Sequence, residues 1–411
     1  MPKTNIIKSG IVVTLFAAAG IVLNYVFQLV SGRWLSAHDY ADMQALFALL
    51  TIISVPAGAV TMIVSQMAAT STGSAEKNIK QIYKRNIIYA IYAGALVSAL
   101  SSLVFIFIKS DLGLSYSDMM IISVVGGIGY ITALYVGLLQ GLEKFFEFSF
   151  SLFLGTIFKL VFGLLFIYLG YKTFGAMLGL LISGTLATAY MHFILNKNNA
   201  KEPLSENTKN KEDNTEEKKK ISEQIKINNN LNINFKEIKE KFGYAFNIII
   251  INIFLAVFVS ADIIFAKYIL APDLVAVYAY ISVIGKLPLY VLLSITQVMF
   301  PLYARSNIKD SLKYFTCYFS FAIFAGAAAY IFGNYFGHIL LPLLMGNKLE
   351  VALAANHIGF GFMVFSAIGI IYNFVQLISL KVKSRLYTLT ILLICSIIYI
   401  GVIYVLIKSL A

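Results

Sequence analysis

Charge is scarce in this sequence. Lys, Arg, Asp and Glu make up 13% of 411 residues, about half the share usual in soluble domains, which excludes a soluble globular protein. Only two cysteines occur, Cys317 and Cys395, both inside apolar runs without CxxC or CxxxC spacing. Neither a disulfide framework nor a thiolate metal site is expected from them. The four histidines, His38, His192, His338 and His357, are scattered. With no HExxH, no GxSxG and no carboxylate pair inside an apolar run, the chain reads as a non-enzyme with no catalytic residues, resident metal or cofactor. Gly126-Gly-Ile-Gly129 is no phosphate loop, because no strand precedes it.

Long apolar stretches fill the rest. Hydrophobic residues are 59% of the chain, and mean hydropathy is +0.81. A hydrocarbon core of roughly 30 Å takes about 20 apolar residues per crossing. Eleven stretches meet that length, near 8–30, 44–68, 86–108, 119–141, 148–170, 174–195, 243–266, 275–299, 314–334, 355–380 and 386–408. The first exceeds a signal-peptide core and reads as a retained span. An all-α polytopic membrane protein follows.

The net charge of +12 would point to nucleic acid in a soluble chain. Here its distribution matters more. With the N-terminus inside, inner segments hold 24 of the 32 basic residues and outer segments six, among them Arg33 and Lys267. That is the positive-inside bias, so the N-terminus is expected to be cytoplasmic and nucleic acid is not an expected partner. Between the sixth and seventh spans the chain turns to Lys, Glu and Asn. This 196–242 segment reads as a charged cytoplasmic linker, and Phe235, Ile238 and Phe242 near its end share one face of an interfacial helix. Three parts follow: an N-terminal six-helix bundle at 1–195, the linker, and a five-helix bundle at 243–411.

The halves repeat in the same order. Arg33-Trp-Leu-Ser-Ala-His-Asp39 lies against Lys267-Tyr-Ile-Leu-Ala-Pro-Asp273 at an offset of 234, and Gly137-Leu-Leu-Gln140 against Asn373-Phe-Val-Gln376 at 236. Parallel repeats about an axis normal to the membrane are an architecture of transporters. A copy of the sixth span would fall near 410–431, so the second half is expected to lack its last helix, shed or missing from an incomplete sequence.

Polar residues within spans carry the functional reading, because their burial in a membrane is costly. Lys159 and Lys286 stand mid-span, one per half, and two unpaired cations there would suit an anionic substrate. Asp262, the one acid well within a span, either couples transport to a proton or sodium ion or pairs with Lys286. Its counterpart at offset 234 is Gln28, which shares a face with Asn24.

In order and spacing, several segments resemble the oligosaccharide flippases and polysaccharide biosynthesis transporters of the multidrug, oligosaccharidyl-lipid and polysaccharide (MOP) exporter superfamily. They are Trp34 to Ala69, Gly137 to Phe145, the Lys159 segment, and Ser260-Ala-Asp-Ile-Ile264 through Gly285-Lys-Leu-Pro288 to Met299-Phe-Pro301. The resemblance implies two MATE-like bundles around a central cavity and movement of polyprenyl-pyrophosphate-linked oligosaccharide across the cytoplasmic membrane. On that basis Lys159 and Lys286 would hold phosphates, and Asn24, Gln28, Gln140, Asn373 and Gln376 would hold sugars. Arg33 and Lys267 would stand at the cavity mouth and Asp262 would serve ion coupling. Implied partners are the lipid-linked oligosaccharide, membrane lipids, a polysaccharide polymerase and glycosyltransferases. The rival readings are a cation-coupled drug exporter of the same superfamily and a membrane enzyme acting on lipid-linked sugars.

Overall fold

The computed structural model describes residues 3–71, 75–200, 253–254, 256–292, 308–381 and 385–410. Helix α6 runs on into the first residues of the linker, to Ala200; the rest of it, 201–242 with Phe235, Ile238 and Phe242, lies outside the described residues, as does Pro301. Helix is the expected outcome for such a sequence, since a span in hydrocarbon must satisfy every backbone N–H and C=O internally. The described residues form α1 (Lys3–Trp34), α2 (Ala37–Ser71), α3 (Ala75–Leu112), α4 (Tyr116–Gly141), α5 (Phe145–Phe166), α6 (Lys172–Ala200), α7 (256–269), α8 (Pro272–Gly285), α9 (Ile308–Met345), α10 (Leu349–Lys381) and α11 (Arg385–Lys408). Among them are nine apolar runs long enough to cross a membrane. One of these, Phe145–Asn196, spans 52 residues. At roughly 1.5 Å per residue it is too long for a single crossing. A π turn at Ile167–Tyr171 breaks it, where Gly170 takes φ +89°, a conformation that only glycine adopts cheaply.

The repeat is visible in the packing. Within the first half α4 lies against α2 and α3; within the second α10 lies against α8 and α9. Helices α3 and α9 are both 38 residues long. Close contact is made by glycines: a Cβ on Gly94 of α3 would sit 2.4 Å from the Gly127 carbonyl of α4, and one on Gly333 of α9 would sit 2.6 Å from Gly359 Cα of α10. Across the halves α2 meets α8 and α1 meets α9. Large apolar side chains such as Phe107, Tyr168, Phe324 and Tyr335 face outward, as lipid contact requires.

Two local devices set the start of the paired helices α2 and α8. Ser36 caps α2, its Oγ accepting the Asp39 N–H at 3.1 Å and donating to Asp39 Oδ2 at 2.6 Å. At the equivalent place Pro272 opens α8 from the first helical position. The later prolines act differently. Helix α2 continues through Pro56, whereas α8 ends at Gly285, turns at Lys286 and resumes over 287–292. Pro288 cannot donate to the carbonyl four residues back, so the break falls beside it.

Candidate functional site

Between the halves lies a cavity of about 590 Å³, walled by α1, α2, α5 and α6 on one side and by α7, α8 and the 287–292 turn on the other. Asn24, Gln28, Lys159 and Lys286 line it, joined by Gln44, Ser282, Tyr25 and Tyr290. Thus four of the residues expected from the sequence meet at one place.

The two lysines are held differently. The Lys159 ammonium donates to Asn24 Oδ1 and lies over the rings of Phe27 at 4.9 Å and Phe47 at 5.5 Å. No acid pairs with it among the described residues. Aromatic faces and an amide oxygen stabilise a cation without cancelling its charge. Lys286, by contrast, reaches Asp262 Oδ1 at 2.8 Å and stands 5.3 Å from the Phe365 ring centroid. Asp262 is fully buried, and its other oxygen accepts from Ser282 Oγ at 2.6 Å and Tyr278 OH at 3.2 Å. Among the described residues only Lys159 is left without an acid partner; Lys286 has a carboxylate partner because it stands four residues after Ser282 on the face of α8 that meets Asp262.

The repeat explains which residues were missed. Gln44 Nε2 donates to Gln28 Oε1 at 2.6 Å, and Tyr278 to Asp262 at 3.2 Å; both pairs are 16 residues apart. Gln28 and Gln44 thus occupy in the first half the places of Asp262 and Tyr278 in the second. The signal was present in the sequence, since Tyr278, Ser282 and Lys286 recur every four residues along one face of α8. What they face required the fold.

Two amides expected in the site lie elsewhere, and a third is not described. Gln140 falls in the last turn of α4, away from the cavity lining. Asn373 is buried between α9 and α10, where its Nδ2 donates to Tyr318 OH. Gln376 belongs to α10, and its side chain lies outside the described ones.

Arg33 and Lys267 do not form a loose mouth but bind the opposite half. Arg33 donates to the Leu344 carbonyl at 3.1 Å and to that of Leu343, at the C-terminal end of α9. Lys267 donates to the Leu112 carbonyl at the end of α3, 2.8 Å, and pairs with Asp42 at 2.6 Å. Each half therefore places the cation at the end of its first helix on the carbonyl end of the other half's third helix, the negative pole of that helix. Lys348 adds bonds to the Gly32 carbonyl, 2.6 Å, and to that of Leu35. Its burial lowers the ammonium pKa, and Glu350 opposes this in part. Tyr280 donates to Gly32 O at 3.3 Å and stacks on Tyr40 with ring centroids 4.8 Å apart. His38 and Asp273 add a pair at 3.2 Å. Together these contacts join the halves at one end of the molecule and close that end of the cavity.

A helical bundle of two parallel repeats with a polar cavity at their interface is the build of a membrane transporter. A protein-family model described as Polysaccharide biosynthesis protein matches residues 6–307, and the chain belongs to that family. No curated protein matches it. Among solved structures it is similar to the lipid II flippase MurJ in an inward closed conformation, with a TM-score of 0.60, 12% identity and coverage of 96% of this chain and 87% of that one. A multidrug resistance MATE family transporter of the MOP superfamily, inward-facing, gives 0.58 at 13% identity over 94% of both chains. The Vibrio cholerae MATE transporter VcmN gives 0.56 at 15% identity, over 94% of this chain and 87% of that one. The fold is that of the MOP-superfamily transporters, as the resemblance in the sequence implied.

Proposed function

We propose that the chain is an alternating-access flippase that moves polyprenyl-pyrophosphate-linked oligosaccharide across the cytoplasmic membrane for cell-surface polysaccharide synthesis. The observation that carries this reading is Lys159, a cation without an acid partner among the described residues, set in a cavity that both halves wall. An anionic headgroup gains most where a charge waits uncompensated in a water-poor space. Asn24, Gln28 and Gln44 then offer amide donors and acceptors to sugar hydroxyls, while the lipid tail stays in the bilayer. Membership of a polysaccharide biosynthesis family supports the substrate class. By the basic-residue bias the end closed by Arg33, Lys267 and Lys348 is extracytoplasmic, and the N-terminus and the 196–242 linker are cytoplasmic. Asp262 is the candidate for coupling to a proton or sodium gradient. A polymerase and glycosyltransferases would act on the same lipid-linked sugar and are the proposed partners.

A cationic drug would meet Lys159 with no acid beside it among the described residues, which disfavours the exporter reading. Proteoliposomes carrying a fluorescent lipid-linked oligosaccharide provide the test. Flipping by the native protein and its loss in Lys159→Gln, at equal insertion, is the expected result. Efflux of cationic dyes without flipping would replace the proposal with the exporter reading.

A further inference from the structure

The Asp262–Lys286 pair is not demanded by the repeat. At the equivalent place in the first half Gln28 and Gln44 make a neutral hydrogen bond across the same 16-residue separation. The second half instead buries a full negative charge, which costs several kcal/mol unless compensated. Its compensation is unevenly shared. Oδ2 of Asp262 is held by two uncharged donors, Ser282 and Tyr278, both on α8. Among the described side chains Oδ1 is held by Lys286 alone, and Lys286 also lines the cavity. Asp262 lies behind it, fully buried and outside the lining. Among the described residues, the titratable side chains that face this carboxylate are Lys286, Tyr278 and Tyr290 from the α8 segment and Tyr399 from α11; from α10 the neutral ring of Phe365 faces Lys286.

We infer that Asp262 is an internal counter-ion standing in for a substrate phosphate: it occupies Lys286 while the cavity is empty, and Lys286 joins Lys159 on an anionic headgroup only when the carboxylate is neutralised. The inference rests on the anionic-substrate reading above and adds the condition under which the second cation becomes available. Neutralised by a proton, Asp262 keeps its Ser282 and Tyr278 neighbours as hydrogen-bond partners, so releasing Lys286 does not strand it. The lysine stem then needs only a rotation at the α8 break to turn its ammonium into the cavity. Binding of headgroup and neutralisation of Asp262 thereby favour each other, as linkage requires.

The test is binding of radiolabelled farnesyl pyrophosphate, a short prenyl pyrophosphate, to the purified full-length protein in detergent. At pH 8, Asp262→Asn should tighten binding about tenfold, within the usual range of such couplings. The same substitution placed on Lys286→Gln should give no gain. Should Asp262→Asn alone fail to fold, the charge-neutral Asp262→Asn, Lys286→Gln double variant replaces it. That variant is expected to bind like the native protein at pH 8, and weaker binding overturns the inference. Unchanged or weaker binding in Asp262→Asn, or an equal gain with and without Lys286, overturns the inference while Lys159-dependent binding leaves the flippase reading standing. Absence of binding in the native protein and in every variant removes both.

Discussion

Lys159 and Lys286 are chemically alike but differently partnered, and substitution should separate them. Among the described residues the Lys159 ammonium meets an amide oxygen and two aromatic faces and no acid, so Lys159→Gln should leave the fold intact and weaken binding of an anionic headgroup by about 2–4 kcal/mol. Lys159→Arg should recover part of this, because the charge returns in a different shape. Both are read from binding of farnesyl pyrophosphate beside a melting curve. Lys286→Gln strands the buried Asp262 and should destabilise the protein by about 3–5 kcal/mol. Adding Asp262→Asn should restore most of that loss, and thermal unfolding in detergent measures both. The sequence made these positions legible because a charge inside an apolar run is conspicuous. Gln44 was not legible: an amide near the start of a span is unremarkable until Gln28 is seen to meet it.

At the scale of elements, the closed end depends on how near α1 comes to α9. Gly32 sits there without a side chain; a Cβ would lie 2.5 Å from the Met345 sulfur, and the Gly32 carbonyl accepts from both Tyr280 and Lys348. Gly32→Ala should therefore wedge the halves apart at a cost of about 1–3 kcal/mol to the closed arrangement. The measurement is maleimide labelling of a cysteine placed at Ala276, which is fully buried on α8 one turn before Tyr280. Its rate should rise in Gly32→Ala and fall back when Met345→Ala makes room, whereas an unchanged rate would mean that α1 and α9 close without this contact. The offset of 234 in the sequence showed which helices correspond, and it placed Arg33 and Lys267 at matching ends. It gave no sign that each would cap a helix of the opposite half, since a backbone carbonyl acceptor leaves no trace in side-chain pattern. Likewise Gln140 and Asn373 fit the repeat by spacing yet face away from the cavity; helix phase, which spacing alone does not set between α4 and α10, decides it.

For the whole molecule, the interface cavity and the closed end form one device. Polar and stacking contacts tie the halves together at one end, beside a cavity whose Lys159 has no acid partner among the described residues; on the proposed function, passage of a headgroup requires those contacts to part. Cysteines at Arg33 and Leu344, whose side chain and carbonyl now touch, can be bridged by a short reducible crosslinker in a background where Cys317 and Cys395 are replaced. Flipping of a fluorescent lipid-linked oligosaccharide in proteoliposomes should stop when the bridge forms and resume when it is reduced. Flipping that continues at the native rate with the two halves bridged would contradict alternating access through this cavity.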